Sequence, residues 1–184
     1  MNEGLIPHRY AKALIKAARE KNCEREMYGV MQTLSDSFDK NAGLQKTVTN
    51  PFVEPARKIS LLKLAVPTED GPTDALFDDF LKLLVKNKRI GFIREIALDY
   101  QRQYRLDNNI YLVCITTAAP LPQTEIDKLV ALVQDRLPQG STMQLQTAVD
   151  PSLIGGFSIS IDNTLIDASV KNQLKQLRSN LISQ

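Results

Sequence analysis

Leu153-Ile154-Gly155-Gly156-Phe157-Ser158-Ile159-Ser160-Ile161, continuing as Asp162-Asn163-Thr164-Leu165-Ile166-Asp167-Ala168-Ser169-Val170, decides how the chain is to be read. A glycine pair leads into a segment where Phe157, Ile159 and Ile161 alternate with Ser158 and Ser160, the two-residue period of a half-covered strand. Asp162-Asn163 supplies a tight hairpin turn, and Leu165-Ile166 is the return strand. Asp167 stands where a helix cap is favoured, and Val170, Leu174, Leu177 and Leu181 then recur at spacings of four, three and four. That stripe belongs to a terminal amphipathic helix, with Lys171, Lys175 and Arg178 riding beside it. The stretch holds no nucleophile, base or metal set, so its chemistry is contact with other proteins.

Working back toward the N-terminus, Met143, Leu145, Thr147 and Val149 alternate with Gln144, Gln146 and Ala148, which predicts another half-buried strand. Before it, Thr124 caps a helix through Leu137, with Asp127 at the capping-box position and Ile126, Leu129, Val130 and Val133 inward. Ile110 to Thr117, rich in β-branched residues, is a strand that Pro120 and Pro122 end. Residues 108–184 therefore read as strand, helix, strand, strand, helix.

Beyond the polar boundary Asp107-Asn108-Asn109 the period changes to 3.6 residues. Tyr10, Ala11, Leu14, Ile15 and Ala18 mark one helix, and Met27, Val30, Met31, Leu34 and Phe38 a second. Asn50-Pro51 breaks the chain, and Ile59, Leu62 and Val66 suggest a short helix that Pro67 ends. Gly71-Pro72 opens a fifth segment, apolar around most of its circumference at Leu76, Phe77, Phe80, Leu81, Leu83, Leu84 and Val85. Ile90 to Leu106 forms the last helix. The expected fold is α+β: an antiparallel bundle of about six helices over residues 1–107, then a small α/β domain over residues 108–184.

Composition excludes several classes. The chain has 184 residues, 43% of them apolar, enough for real cores, and its net charge of +2 is too near neutral for a nucleic-acid footprint. Two distant cysteines cannot make a disulfide scaffold. Cys114, in an apolar run, is expected to be buried, and Cys23, among Lys21, Glu24 and Arg25, partly exposed. No window approaches the roughly 18 apolar residues needed to span a bilayer, so membrane association runs through a partner.

Candidate chemistry is thin. Gly155-Gly156 fits neither GxGxxG nor a P-loop and feeds a strand, which favours a bulge or a close backbone approach over a phosphate cradle. His8 is the one histidine and sits solvated at a helix start, so no metal ion, cofactor or catalytic triad is expected. Lys82, Lys86, Lys88, Arg89, Arg94, Arg102 and Arg105, with Tyr100 and Tyr104 for stacking, leave a nucleic-acid-binding module as the alternative function. Glu95 and Asp99 interrupt that cluster, which favours a solvated face. The small residues Ala11, Ala13, Ala17 and Ala18 on the first helix and surplus leucines on the fifth suit either core packing or a groove for an amphipathic helix.

Six motifs then fall in order: Arg9-Tyr10-Ala11-Lys12-Ala13-Leu14, Asn50-Pro51, Phe80-Leu81-x-Leu83-Leu84-x-x-Asn87-x-Arg89, Thr117-Ala118-x-Pro120-Leu121, Asp150-Pro151-x-Leu153-Ile154-Gly155-Gly156 and Ile166-Asp167-x-Ser169-Val170. Together they resemble the delta subunit family of the F-type ATP synthase, whose mitochondrial counterpart is the oligomycin-sensitivity-conferring protein. The likeness covers nearly the whole chain. It departs at Ala168, where the family commonly has Gly, and at Ile161-Asp162-Asn163, where Gly-Asp is usual.

The resemblance implies a stator subunit of the peripheral stalk, one copy per complex, with no catalysis and no cofactor. It implies that Tyr10, Ala13, Leu14 and Ala17 on the first helix and Phe80, Leu83 and Leu84 on the fifth grip the helical N-terminal segment of an alpha subunit. It also implies that the second domain meets the b subunits, for which Lys171, Leu174, Lys175, Leu177, Arg178 and Leu181 are the candidates. Closing the core of the small domain is the other use open to those leucines. In a bacterium the protein would lie peripherally on the cytoplasmic side of the plasma membrane.

Overall fold

Helical periodicity in the first half of the chain resolves into α1 (Leu5–Glu20), α2 (Glu24–Lys40), α3 (Ala42–Thr49), α4 (Pro55–Ala65), α5 (Pro72–Lys86) and α6 (Ile93–Asp107). The computed structural model describes residues 4–66, 71–134, 137–138, 140–162 and 164–182, the side chains of 180–182 excepted. It divides into two units, Met1–Tyr104 and Arg105–Gln184.

In the first unit α2 and α5 are central: α2 contacts α1, α3, α4 and α5, and α5 contacts α1, α2 and α4. The buried sides follow the sequence stripes. Ala11, Leu14, Ile15 and Ala18 of α1, Met27, Met31 and Leu34 of α2, Phe77, Leu81 and Leu84 of α5 and Ile93, Ile96 and Tyr100 of α6 are all at most 5% exposed. Each large apolar side chain taken from water stabilises the fold by about 1.5–3 kcal/mol, so this interior outweighs any surface pairing. Inside it, Gln101 Nε2 donates to Met31 O at 3.0 Å and to Ser35 Oγ at 2.9 Å, which satisfies the buried amide nitrogen.

Several local expectations are corrected. Helix α3 is a separate element, and α4 begins at Pro55, where a proline suits the first turn, instead of near Ile59. Helix α5 is not apolar all round, because Asp78, Asp79, Lys82 and Lys86 occupy its outer side. Cys23 is 2% exposed: Asn22 adopts φ 54° after α1, and Cys23 N donates to Ala18 O at 2.9 Å, which turns the thiol inward despite its charged neighbours. Cys114 is half-buried.

The second unit is a four-stranded sheet of order β2-β1-β3-β4, formed by β1 (Ile110–Thr117), β2 (Thr142–Val149), β3 (Phe157–Ile161) and β4 (Thr164–Asp167), with α7 (Gln123–Gln134) and α8 (Val170–Ile182). Strand β1 runs parallel to β2 and antiparallel to β3, as the crossover through α7 and the return through the Gly155-Gly156 turn require. Register places Ile115 opposite Ile159, and Ile159 opposite Ile166, on one face. Val113, Ile115, Val133 and Ile159 form the core there, with Leu129, Val130, Phe157 and Ile161 packed around it.

The α+β class and the strand-helix-strand-strand-helix order expected from the sequence are present. Thr124, however, lies inside α7 instead of capping it, and Asp127 accepts from Gln123 Nε2 at 2.9 Å. In the edge strand β2 Met143 is half-buried as expected, whereas Leu145 and Val149 keep 36% and 52% of their surface exposed. The cap of α8 is Ser169, not Asp167: Asn172 N donates to Ser169 Oγ at 3.2 Å, while Ser169 N donates to Asp167 Oδ1 at 2.9 Å in the turn before. Asn163, half of the expected hairpin turn, and Pro67 lie outside the described residues.

The glycine pair is a site of close approach. Gly156 has φ +74°, and a Cβ there would overlap the Ala168 carbonyl oxygen; at Gly155 it would stand 3.0 Å from Val170 Cγ2, a side-chain atom able to shift. Gly156→Ala is therefore expected to destabilise the second unit by about 2 kcal/mol or more, and Gly155→Ala by clearly less, in chemical denaturation followed by circular dichroism.

Candidate partner-binding surfaces

On α1 the turn of 100° per residue places Ile6, Tyr10, Ala13 and Ala17 on one flank of the buried stripe. Tyr10 and Ala17 are half-buried and Ala13 is exposed, while Leu14 is 2% exposed. On α5 and at its C-cap, Leu83 and Asn87 flank the buried Phe80 and Leu84 in the same way, and Leu83 keeps 45% of its surface exposed. The two flanks face each other: Asn87 Nδ2 donates to the Tyr10 hydroxyl at 3.1 Å, across α1 and α5.

The seven candidate residues thus divide in two. Tyr10, Ala13, Ala17 and Leu83 reach the surface, whereas Leu14, Phe80 and Leu84 belong to the interior beneath them. Ile6 and Asn87 join the surface set. The four-residue step from Ile6 to Tyr10 was the signal for the first, and no periodic signal marks the second.

The outer side of α5 is tied down electrostatically. Asp78 pairs with Lys63 Nζ of α4 at 2.8 Å and with Lys82 Nζ at 2.6 Å. Hydrogen bonds from these two ammoniums, Lys63 first, hold the Asp78 carboxyl below its ordinary range, and the same bond raises Lys63. His8, far from free, places Nδ1 3.1 Å from Asp99 Oδ2 and joins α1 to α6.

No stacking platform exists on α6. Tyr100 is fully buried, its hydroxyl donating to Glu24 O at 3.2 Å, and burial pushes its phenol well above the ordinary value. Tyr104 is 8% exposed and stacked on Tyr28 with ring centroids 4.6 Å apart. Arg94 pairs with Asp39 at 2.8 Å. The aromatic half of the nucleic-acid alternative is thereby removed.

In the second unit α8 leaves Leu174 and Leu177 51% and 59% exposed, beside the exposed Lys171, Lys175 and Arg178. These two leucines stand outside the core, which the sheet and α7 close without them. The side chain of Leu181 lies outside the described residues. At the start of α8, Val170 N donates to Gly155 O at 3.0 Å and Lys171 Nζ to Ser152 Oγ at 3.4 Å, which pins the helix to the glycine turn. Asp150 closes that turn by accepting from Ser152 N at 2.9 Å, and this backbone bond, with the Ser152 hydroxyl, keeps its carboxyl low.

The family model for the ATP synthase delta (OSCP) subunit matches residues 6–181. The chain belongs to that family. It is 33% identical over 184 residues to the ATP synthase subunit delta of Bacteroides thetaiotaomicron, covering 100% of this chain and 97% of the relative. The corresponding subunit of Parabacteroides distasonis is 35% identical, with 99% and 98% covered. Among solved structures, a chain of the Toxoplasma gondii mitochondrial ATP synthase hexamer superposes with TM-score 0.72 at 26% identity, covering 96% of this chain and 97% of that one.

Membership makes this a peripheral-stalk subunit of the F-type ATP synthase, part of a membrane-associated complex. No helix among the described residues is long and apolar enough to cross a membrane.

Exposure separates residues that can be tested by charge insertion from those that cannot. Leu83→Asp is expected to change stability by no more than about 0.5 kcal/mol, whereas Leu84→Asp, one position inward, should cost more than about 3 kcal/mol or unfold the first unit. Urea denaturation of the two variants checks the difference.

Proposed function

We propose that this subunit is a non-catalytic mechanical joint whose first unit binds the N-terminal helix of an alpha subunit and whose second unit binds the b subunits. Rotation of the central stalk exerts torque on the catalytic head, and coupling ion flow to ATP synthesis requires that the head stay fixed. A joint that holds it needs two surfaces on one chain. The observation that carries the reading is the small-residue flank of Tyr10, Ala13 and Ala17 on α1, tied through Tyr10 to Asn87 just past α5, with the exposed Leu83 one turn before it, in a chain aligned to the delta family along nearly its whole length.

Small side chains on α1 let a third helix lie close, and Leu83 offers it an apolar anchor. The second surface is α8, where Leu174 and Leu177 give apolar contact and Lys171, Lys175 and Arg178 attract an acidic partner helix. One copy per complex suffices, and the chain reaches the membrane only through its partners, on the cytoplasmic side in a bacterium.

A synthetic peptide of the alpha-subunit N-terminus should bind the full chain with micromolar or better affinity in calorimetry. Ala13→Asp or Leu83→Asp should weaken it at least about 30-fold. Leu177→Asp should leave that affinity unchanged and weaken capture of the b subunits instead. Peptide binding indifferent to Leu83→Asp contradicts this assignment.

A further inference from the structure

Among the described residues, Asn22, Lys88, Asn109, Ile154 and Asp162 hold a positive φ without being glycine. Asn22, Lys88 and Asn109 each stand two residues beyond the end of a helix, where a left-handed residue closes the last turn, and Asp162 follows β3 into its hairpin. Ile154 is different. It is β-branched, and its φ of 68° with ψ −39° falls outside the compact left-handed region, where ψ is positive. Glycine would sit there without strain, yet the two glycines of the turn are the next two residues. The isoleucine side chain returns little to the fold, since 67% of its surface stays in water.

Strain of this kind persists only where the surroundings over-determine the backbone, and here they do. Ile154 N donates to Pro151 O at 3.1 Å and Leu153 N to Asp150 O at 3.2 Å, while Gly155 O accepts from Val170 N. The turn is thus fixed before and after Ile154, and it presents an apolar side chain to solvent in a rigid setting. Its place relative to α8 is equally defined. Val170 and Lys171 are the residues of α8 that hold the turn, through Gly155 O and Ser152 Oγ, and at about 100° per residue Leu174 points between those two. The turn therefore prolongs, beyond the start of α8, the side of the helix that carries the exposed Leu174.

We infer that Ile154 is an anchor of the second partner surface, seated in the apolar seam of the same acidic amphipathic helix that α8 receives. The inference rests on the reading of α8 given above and adds to it a residue from outside the helix. An apolar side chain already held rigid by its backbone loses little freedom on binding, which is what makes a strained, exposed position useful to an interface. Lys171, on the same end of α8, supplies the neighbouring positive charge.

Ile154→Gly and Ile154→Asn remove the branched side chain and admit a positive φ. Each should raise the melting temperature of the second unit by about 2 °C or more in calorimetry of the full chain, and each should weaken binding of the soluble part of the b subunits at least about tenfold. Ile154→Met, which keeps an apolar side chain, should bind within about threefold of the unaltered chain, and affinity for the alpha-subunit peptide should be the same in all four proteins. Binding of the b subunits that is lost in Leu177→Asp but unchanged in Ile154→Gly and Ile154→Asn overturns this inference and leaves the reading of α8 standing. No binding by the unaltered chain, or binding indifferent to Leu177→Asp, overturns that reading and this inference with it. A lower melting temperature in both the glycine and the asparagine variant contradicts the strain on which the inference is built.

Discussion

The burial of the alanine-bearing side of α1 against its neighbours is the interaction on which the first unit depends. Ala11 and Ala18 are completely covered, and a helix that presents such short side chains to its neighbours can lie close to them without deep interdigitation. A consequence is that the flank beside the contact stays smooth. Tyr10, Ala13 and Ala17 stand there opposite Leu83, and the hydrogen bond between Asn87 and Tyr10 spans the two helices. The packing that builds the bundle therefore also leaves this small-residue flank open.

The second unit obeys a different constraint. Its sheet is covered by α7 over β1 and β3, and the glycine turn at Gly155-Gly156 holds the entry of α8 through backbone contacts. Helix α8 is anchored at its first residues, and Leu174 and Leu177 beyond that point stay in water. An amphipathic helix fixed at one end with its apolar stripe uncovered is suited to a partner helix, and the adjacent cations favour an acidic one.

Much of this was legible in the sequence because periodicity reports burial directly. The stripes of α1, α2 and α6 and the alternation of β3 appear where the 3.6- and two-residue periods placed them. What escaped was decided by tertiary context. Cys23 looks exposed from its charged neighbours, yet a left-handed Asn22 turns it inward; Leu145 and Val149 alternate like buried residues, yet β2 is an edge. Leu14, Phe80 and Leu84 could not be told from Tyr10, Ala13 and Leu83, because helical spacing gives a face and not the neighbour that covers it.

A joint must hold both ends at once, which neither surface alone establishes. Native mass spectrometry of the full chain mixed with an alpha-subunit N-terminal peptide and the soluble part of the b subunits tests that directly. One species carrying a single copy of this chain with both partners bound is the result the account predicts. Failure of either partner to bind, or displacement of one by the other, would contradict it.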